Sequence, residues 1–192
     1  MTDITGQTNG TVTAAAAGIT ISGNTTDLTA ALVTTETNAV VANGTVTITN
    51  TEGNVAATVL SAIGNSTNGT VTATGAITVT GTTEEITNAL VTASKLVVAS
   101  NESAAVKFVG DDPTGAELAL INPKVSGTIT LANNAQTFGG TAAQMKAAFT
   151  GGLEGTQTGA VTISDTEGTI TATTLTDITC LLYTSDAADD VV

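Results

Sequence analysis

Short stretches in which apolar and polar residues alternate recur along the chain. Residues 69–73 read "GTVTA" and residues 76–81 read "AITVTG", in which small polar residues alternate with apolar residues such as valine and isoleucine. A period of two is typical of a strand with one buried face, and threonine suits the outer face of a pleat. The pattern predicts two strands here, with Val71, Ile77 and Val79 pointing inward.

A short helix is predicted directly after the second strand. Residues 82–85 read "TTEE", a capping box in which Thr82 accepts from a backbone N–H and Glu85 reaches back. Residues 141–144 repeat the pattern with glutamine, and Asn24 holds the equivalent N-cap position in the first copy. Apolar residues four apart follow each start and share one helical face: Leu28 and Leu32, Ile86 and Leu90, Met145 and Phe149.

A second kind of segment repeats the same logic. Residues 44–63 and 159–178 match without a gap at an offset of 115, sharing "TEG" and the spacing of Leu60 to Ile63. Each is predicted to form a strand, a loop and a short helix. A more divergent copy ends at residue 121, with Asp112 predicted as the helix N-cap and Pro113 as its first residue.

These segments make up an internal repeat of about 58 residues. "TNGTVTA" occurs at residues 8–14 and again at 67–73, and a weaker copy begins at Ser126. The predicted divisions are the end of a truncated repeat at 1–8, repeat 1 at 9–67, repeat 2 at 68–125 with a degenerate second half, and repeat 3 at 126–179.

The fold class predicted from this organisation is an α/β solenoid of strand–turn–short helix half-units. No half-unit can bury its apolar side alone, so neighbouring copies would complete each other's core. An all-β solenoid, in which the helix-like segments are irregular turns, is the alternative. Repeats of a β-sandwich are less favoured, because the unit is well short of the roughly 100 residues that an immunoglobulin-like domain takes.

Both ends of the chain break the repeat. Residues 1–5, "MTDIT", match "LTDIT" at 175–179, so Met1 is interpreted as a start codon assigned inside a longer reading frame. A genuine start on a partial, capping repeat is the other interpretation. Residues 180–190, "CLLYTSDAADD", resemble the translation of a transposase-type sequencing-library adapter. Residues 180–192 are therefore interpreted as an adapter-derived artefact, and Cys180 supports no chemistry.

Composition excludes several classes of function. The net charge is −13, and the four cations are Lys95, Lys107, Lys124 and Lys146, scattered singly. Binding to nucleic acid needs clustered lysine or arginine, so none is expected. No apolar run of 18 residues occurs, and no membrane span is expected. The expected partners are neighbouring repeats of the parent chain.

No enzymatic activity is expected. The chain has no histidine and no arginine, which excludes Ser/His/Asp and Cys/His arrangements. A carboxylate pair for glycoside hydrolysis could be drawn from Glu84 with Glu85, or from Asp111 with Asp112. Adjacent carboxylates at a helix start are more simply explained by the helix dipole. No catalytic or cofactor-binding residue is therefore predicted.

Calcium is the only ion for which candidate ligands exist. "SDTEG" contributes Asp165 and Glu167, and "GDDPTG" contributes Asp111 and Asp112. Calcium takes six to eight oxygen ligands, often including several carboxylates. Neither stretch matches the EF-hand loop or the nonapeptide calcium repeat, and Asn50 stands where Asp165 stands in the other copy. Ordinary turn chemistry is the preferred interpretation.

The repeat resembles the Thr/Ala/Gly-rich tandem repeats of very large surface or secreted proteins known mostly from environmental marine bacterial sequence. The corresponding motifs lie at residues 69–73, 81–85 and 160–166. The resemblance implies an extracellular, array-forming role, structural or adhesive, and carries over no catalytic residue. A calcium-dependent extracellular binding array and a segment of a phage fibre are the alternative functions.

Overall fold

All strand pairings in the described chain are parallel, which requires a crossover between partners. The structure is a computed structural model and describes residues 12–13, 18–34, 39–40, 42–92, 96–98 and 104–184. Its strands are β1 Val12–Thr13, β2 Thr20–Gly23, β3 Ala39–Val40, β4 Thr45–Ile48, β5 Glu52–Ala56, β6 Val71–Ala73, β7 Ala76–Gly81, β8 Leu96–Val98, β9 Ala105–Phe108, β10 Ile129–Thr130, β11 Phe138–Gly140 and β12 Val161–Ile163.

The strands form two larger sheets and two smaller ones. The four-stranded sheets have the orders β2-β4-β6-β8 and β5-β7-β9-β10, and β1-β3 and β11-β12 form two-stranded sheets. Paired residues lie 23 to 27 positions apart, from Phe138 with Val161 to Val12 with Ala39. This separation leaves room for one helix or one loop between partners.

Six α-helices lie in the described residues, and consecutive helices pack against each other. They are α1 Thr25–Leu32, α2 Ala57–Asn65, α3 Thr83–Thr87, α4 Gly115–Ile121, α5 Ala142–Phe149 and α6 Ala172–Thr184; α3 continues as the π-helix Asn88–Thr92, and α4 as the 3-10 helix Asn122–Lys124. The predicted N-caps Asn24, Thr82 and Thr141 are confirmed, the last two within capping boxes.

The core consists of small aliphatic side chains from strands and helices, with few rings. Val71, Ile77 and Val79 have no exposed surface, as the alternation predicted. Each predicted helical pair also packs in or against the core: Leu28 and Leu32, Ile86 and Leu90, Met145 and Phe149. Phe138 and Phe149 supply an edge-to-face ring contact with centroids 5.1 Å apart.

The prediction of an α/β solenoid built from strand–turn–short helix half-units is wrong, because the structure is a mixed α/β fold with parallel sheets. Strands that the 58-residue repeat makes equivalent do not share a sheet: β2, β7 and β11 lie in three different ones. The six helices also contradict an all-β solenoid, and the parallel pairing of the described strands contradicts β-sandwich repeats.

The physical reason is a strand that the sequence pattern did not reveal. The sequence predicts a loop and then the helical segment "VAATVLSAI" at 55–63, but residues 52–56 form β5, which pairs with β7 from Glu52 opposite Ala76 to Ala56 opposite Thr80. Only Val55 of this strand is buried, so its residues show no alternation. Because β5 starts a second sheet, β7 pairs there, while its equivalent β2 pairs with β4.

The predicted N-cap of the divergent copy is also wrong. Helix α4 begins two residues later than predicted, with Thr114 as its N-cap. The Thr114 hydroxyl accepts from the Glu117 N–H at 3.3 Å, and Glu117 Oε2 accepts from the Thr114 N–H at 2.8 Å. This capping box satisfies two helix-end donors at once, which leaves Asp112 free to bind elsewhere.

Part of the predicted end structure falls outside the described residues. Met1 and the truncated repeat at 1–8 lie there, as do residues 185–192 of the segment interpreted as adapter-derived. Residues 180–184 lie at the end of α6.

Candidate functional site

An acidic groove lies between the starts of α3 and α4. It is an open pocket of about 270 Å³, lined by Thr83, Glu84, Thr87, Asn88, Asp111, Asp112 and Glu117. Three of the carboxylates considered from sequence, Glu84, Asp111 and Asp112, meet in this groove. The groove is therefore the best candidate for a cation or catalytic site, and the hydrogen bonds of its carboxylates decide what it can do.

The side chains of Glu84 and Glu85, in the first turn of α3, line two different pockets. Glu85 Oε2 accepts from the Thr82 N–H at 2.9 Å, which completes the capping box. The same side chain lines a different pocket, of about 480 Å³, between α2 and α3. Glu84 alone faces the acidic groove, so the two do not act as a pair on one substrate.

Asp111 and Asp112 each accept hydrogen bonds from the backbone of another element. Asp111 Oδ1 accepts from the Thr83 N–H, the first residue of α3, at 3.4 Å. Asp112 accepts from the Ala132 N–H at 2.6 Å and from the Asn133 N–H at 2.7 Å, one at each carboxylate oxygen. Through these bonds both residues act as acceptors that join one element to another.

Asp165 has the same role in the last copy, and Glu167 does not share it. Asp165 Oδ2 accepts from the Ala142 N–H, at the start of α5, at 2.7 Å. Glu167 is exposed beside the left-handed Gly168, whose φ is 94°. Of the two calcium candidates in "SDTEG", Asp165 therefore accepts a hydrogen bond from the start of α5, whereas Glu167 lies exposed in the turn.

These bonds belong to one pattern that recurs at three helix starts. The first helical N–H of α1, α3 and α5 is accepted by a side chain from the turn after a later strand: Asn50 Oδ1 for Thr25 at 2.8 Å, Asp111 for Thr83, and Asp165 for Ala142. A helix leaves its first N–H groups without internal partners, and each of these helices needs its own N-cap as well. We call Asn50, Asp111 and Asp165 the cross-caps.

The cross-caps were missed in the sequence, although a signal for them was present. Asn50 and Asp165 precede the "TEG" triplet in matching positions at the offset of 115. The replacement of aspartate by asparagine argued against calcium. Both residue types carry a side-chain oxygen that accepts hydrogen bonds, and this shared property would have indicated a helix cap.

A buried asparagine binds the opposite end of α5. Asn122 is 6% exposed, and its Nδ2 donates to the carbonyl oxygen of Ala147 at 2.9 Å, to that of Ala148 at 3.1 Å and to that of Thr150. These carbonyls belong to the last turn, where helix acceptors lack internal partners. Both ends of α5 are thus held by side chains from other elements.

The described residues contain no group of three or more His, Cys, Asp or Glu side chains placed to hold a metal ion. Asp111 and Asp112 line the acidic groove, whereas Asp165 and Glu167 lie in the segment after β12. No helix in the described part of the chain is long and apolar enough to cross a membrane.

Replacing Asp165 tests its role as a cross-cap. Asp165→Ala is expected to lower the free energy of unfolding by about 1 kcal/mol, since the Ala142 N–H loses its acceptor. Asp165→Asn is expected to retain stability within a few tenths, because Asn50 performs the same task with an amide. Thermal unfolding followed by circular dichroism measures both.

Glu167→Ala is the matched control for Asp165→Ala and should leave the midpoint unchanged. An Asp165→Asn variant as unstable as Asp165→Ala would show that the negative charge matters, and would contradict the cross-cap.

Comparison with protein-family models, with curated proteins and with solved structures gives no match for this chain.

Proposed function

We propose that this chain is a non-catalytic segment of a large repetitive cell-surface or secreted protein, with a structural or adhesive role. The observation that carries the proposal is the use of the cross-caps. Asp111 and Asp165, two of the carboxylates considered for chemistry, each accept the first backbone N–H of a helix from the turn after a later strand. Asp111 and Asp165, like Asn50, thus serve the continuity of the chain.

The exposed threonines of the sheet β2-β4-β6-β8 support a role in which surface is exposed. Thr20 and Thr45 are exposed neighbours on adjacent strands, and their hydroxyls lie 2.8 Å apart. The net charge of −13 keeps such a surface well solvated.

A calcium-dependent binding array is the main alternative, and thermal unfolding separates it from the proposed function. The midpoint is expected to be the same in excess calcium and in excess chelator, because a bound ion would raise it by mass action. A clear rise with calcium, lost in Asp111→Asn or Asp165→Asn, would favour the ion-dependent alternative. Magnesium at the same concentration is the control for ionic strength.

The proposed function is tested by recovering the complete reading frame with long sequencing reads. We expect further units of about 58 residues beside this one, and a secretion or anchoring segment in the same frame. Antibodies against the chain should then label intact cells and lose their target after external protease treatment. A frame without a secretion segment, or label confined to lysed cells, would overturn the proposal, and neighbouring phage structural genes would favour the fibre alternative.

A further inference from the structure

We infer that copies of this chain associate head to tail, with β1 and β2 of one copy adding to β12 and residues 167–171 of the next. This association goes beyond the proposed function, because it joins separate copies of the chain through the two edges that flanking units of a longer chain would also use. It rests on a comparison of β12 with its internal equivalent, β4.

Among the described residues, strand β12 pairs with β11 on one edge only, and the pairing of β4 with β6 shows which strand would fit the other edge. In β4, the Val46 N–H donates to Thr70 O at 2.9 Å and Ile48 O accepts from the Thr74 N–H at 3.1 Å, both toward β6. In β12, which matches β4 at the offset of 115, the neighbouring groups bond to β11: the Ser164 N–H donates to Gly140 O at 2.9 Å. Backbone groups alternate in direction, so the Val161 N–H and Ile163 carbonyl face the opposite edge.

Within the described part of the chain, residues 167–171 likewise pair with no strand. Their internal equivalent is β5, whose strand conformation is sustained by pairing with β7. Residues 167–171 have the matching sequence, "EGTIT" against "EGNVA", but they form no strand. Pairing with a strand equivalent to β7 would allow residues 167–171 to form a strand, and β2 is the equivalent of β7.

Side chains at this end are exposed where their internal equivalents are buried. Leu175 of α6 is 45% exposed, whereas its equivalent in α2, Leu60, is 2% exposed. Val161 and Ile163 are partly exposed, while their equivalents in β4 have no exposed surface. Within the chain α3 packs on α2, the helix of Leu60, and α1 is the equivalent of α3. The missing cover is therefore a copy of β1, β2 and α1.

The other end of the fold lacks the complementary partner. Among the described residues, β1 pairs only with β3 and β2 only with β4. Ile21 and Leu32 are partly exposed, while their equivalents Val79 and Leu90 are 0% and 2% exposed. Each end therefore exposes apolar surface that the other end can cover.

Sequence identity specifies the occupant. The segment that covers β4 within the chain is "TNGTVTA" at 67–73, and the same seven residues stand at 8–14, around β1. Thr67 fixes this contact, since its hydroxyl donates to Gly44 O at 2.6 Å. Gly159 is the counterpart of Gly44. Because the two surfaces differ, the association is heterologous and extends beyond a dimer.

Sedimentation velocity over a wide concentration range tests the association. The full chain should form species above the 18.8 kDa monomer that grow in size with concentration. Salt should promote this growth, because both partners are acidic and screening weakens their repulsion. A single monomeric species at every concentration and salt level would overturn the inference.

Two variants on the proposed interface have matched controls. Val161→Pro removes the outward N–H and should weaken association roughly tenfold, whereas Val161→Ala keeps the N–H and should weaken it less. Leu175→Lys should abolish detectable association, and Leu120→Lys, at a leucine 54% exposed on α4, should not. Circular dichroism confirms that each variant is folded, and association that survives Leu175→Lys contradicts the proposed surface.

Cross-linking tests the register independently of the interface variants. Thr47 pairs with Thr72 within the chain, so Thr162 should lie opposite Thr13 of a second copy. In a Cys180→Ser background, Thr13→Cys and Thr162→Cys proteins are mixed and treated with a short bismaleimide. We expect a mixed product and no product from either protein alone. Equal yields from either protein alone would indicate a different interface.

Discussion

Replacing Phe138 with alanine is expected to lower the free energy of unfolding by about 3–5 kcal/mol, the usual cost of removing a buried ring. Phe138 lies on β11 with no exposed surface, and its ring meets the edge of Phe149 on α5 at a centroid distance of 5.1 Å. Apart from Phe108, Phe149 and Met145, the buried apolar side chains of the described core are aliphatic, so few neighbours could fill the cavity. Thermal unfolding should show a midpoint lower by about 10 °C.

Leu120→Ala is the control for Phe138→Ala, because Leu120 is a large apolar residue that is 54% exposed. Its midpoint should change by no more than about 1–2 °C. Equal losses in the two variants would mean that β11 and α5 do not pack as described.

The second large effect is expected from Gly75→Ala. A Cβ at this position would overlap the carbonyl oxygen of Asn50 and lie 2.7 Å from the Thr51 Cα. Both obstacles are backbone, so the turns after β4 and β6 would have to separate. Because Asn50 is also the cross-cap of α1, the shift should disturb a helix as well. We expect a loss of about 3 kcal/mol, measured by chemical denaturation.

Gly64→Ala is a control of opposite sign. Gly64 lies in α2, and a Cβ there would meet nothing within 4 Å. Alanine should raise the free energy of unfolding by about 0.5–1 kcal/mol, since glycine is the weaker helix former. If both substitutions destabilise the protein, the loss at Gly75 would reflect a general cost of replacing glycine in this chain, and the close backbone approach at Gly75 would not be its cause.

Local structure could be predicted from the sequence where one short motif determines it. Thr82 and Thr141 begin helices because each capping box lies within four residues, and Val71, Ile77 and Val79 are buried because strands alternate. Thr114 shows the limit of such reasoning. Asp112 with Pro113 and Thr114 with Glu117 are both acceptable starts, and the reciprocal bonds of the second pair decide the outcome.

Long-range pairing could not be predicted in the same way. Strand β5 has one buried side chain and is stabilised by β7, more than twenty residues later. No pattern within residues 52–56 records that partner. The division of equivalent strands between sheets follows from β5, so the predicted solenoid failed for the same reason.

The candidate site was located in part. Sequence reasoning found Asp111, Asp112 and Asp165 as oxygen ligands, and the structure places all three as acceptors, though for backbone N–H groups. It missed Asn122, whose amide holds the end of α5, because a lone asparagine before proline usually indicates a turn.

The cross-cap position accepts either an amide or a carboxylate, as Asn50 and Asp165 show. The charge at this position can therefore change while the hydrogen bond, and with it the fold, stays the same. Single substitutions between asparagine and aspartate can therefore set the net charge of each unit separately, without a change in the path of the backbone.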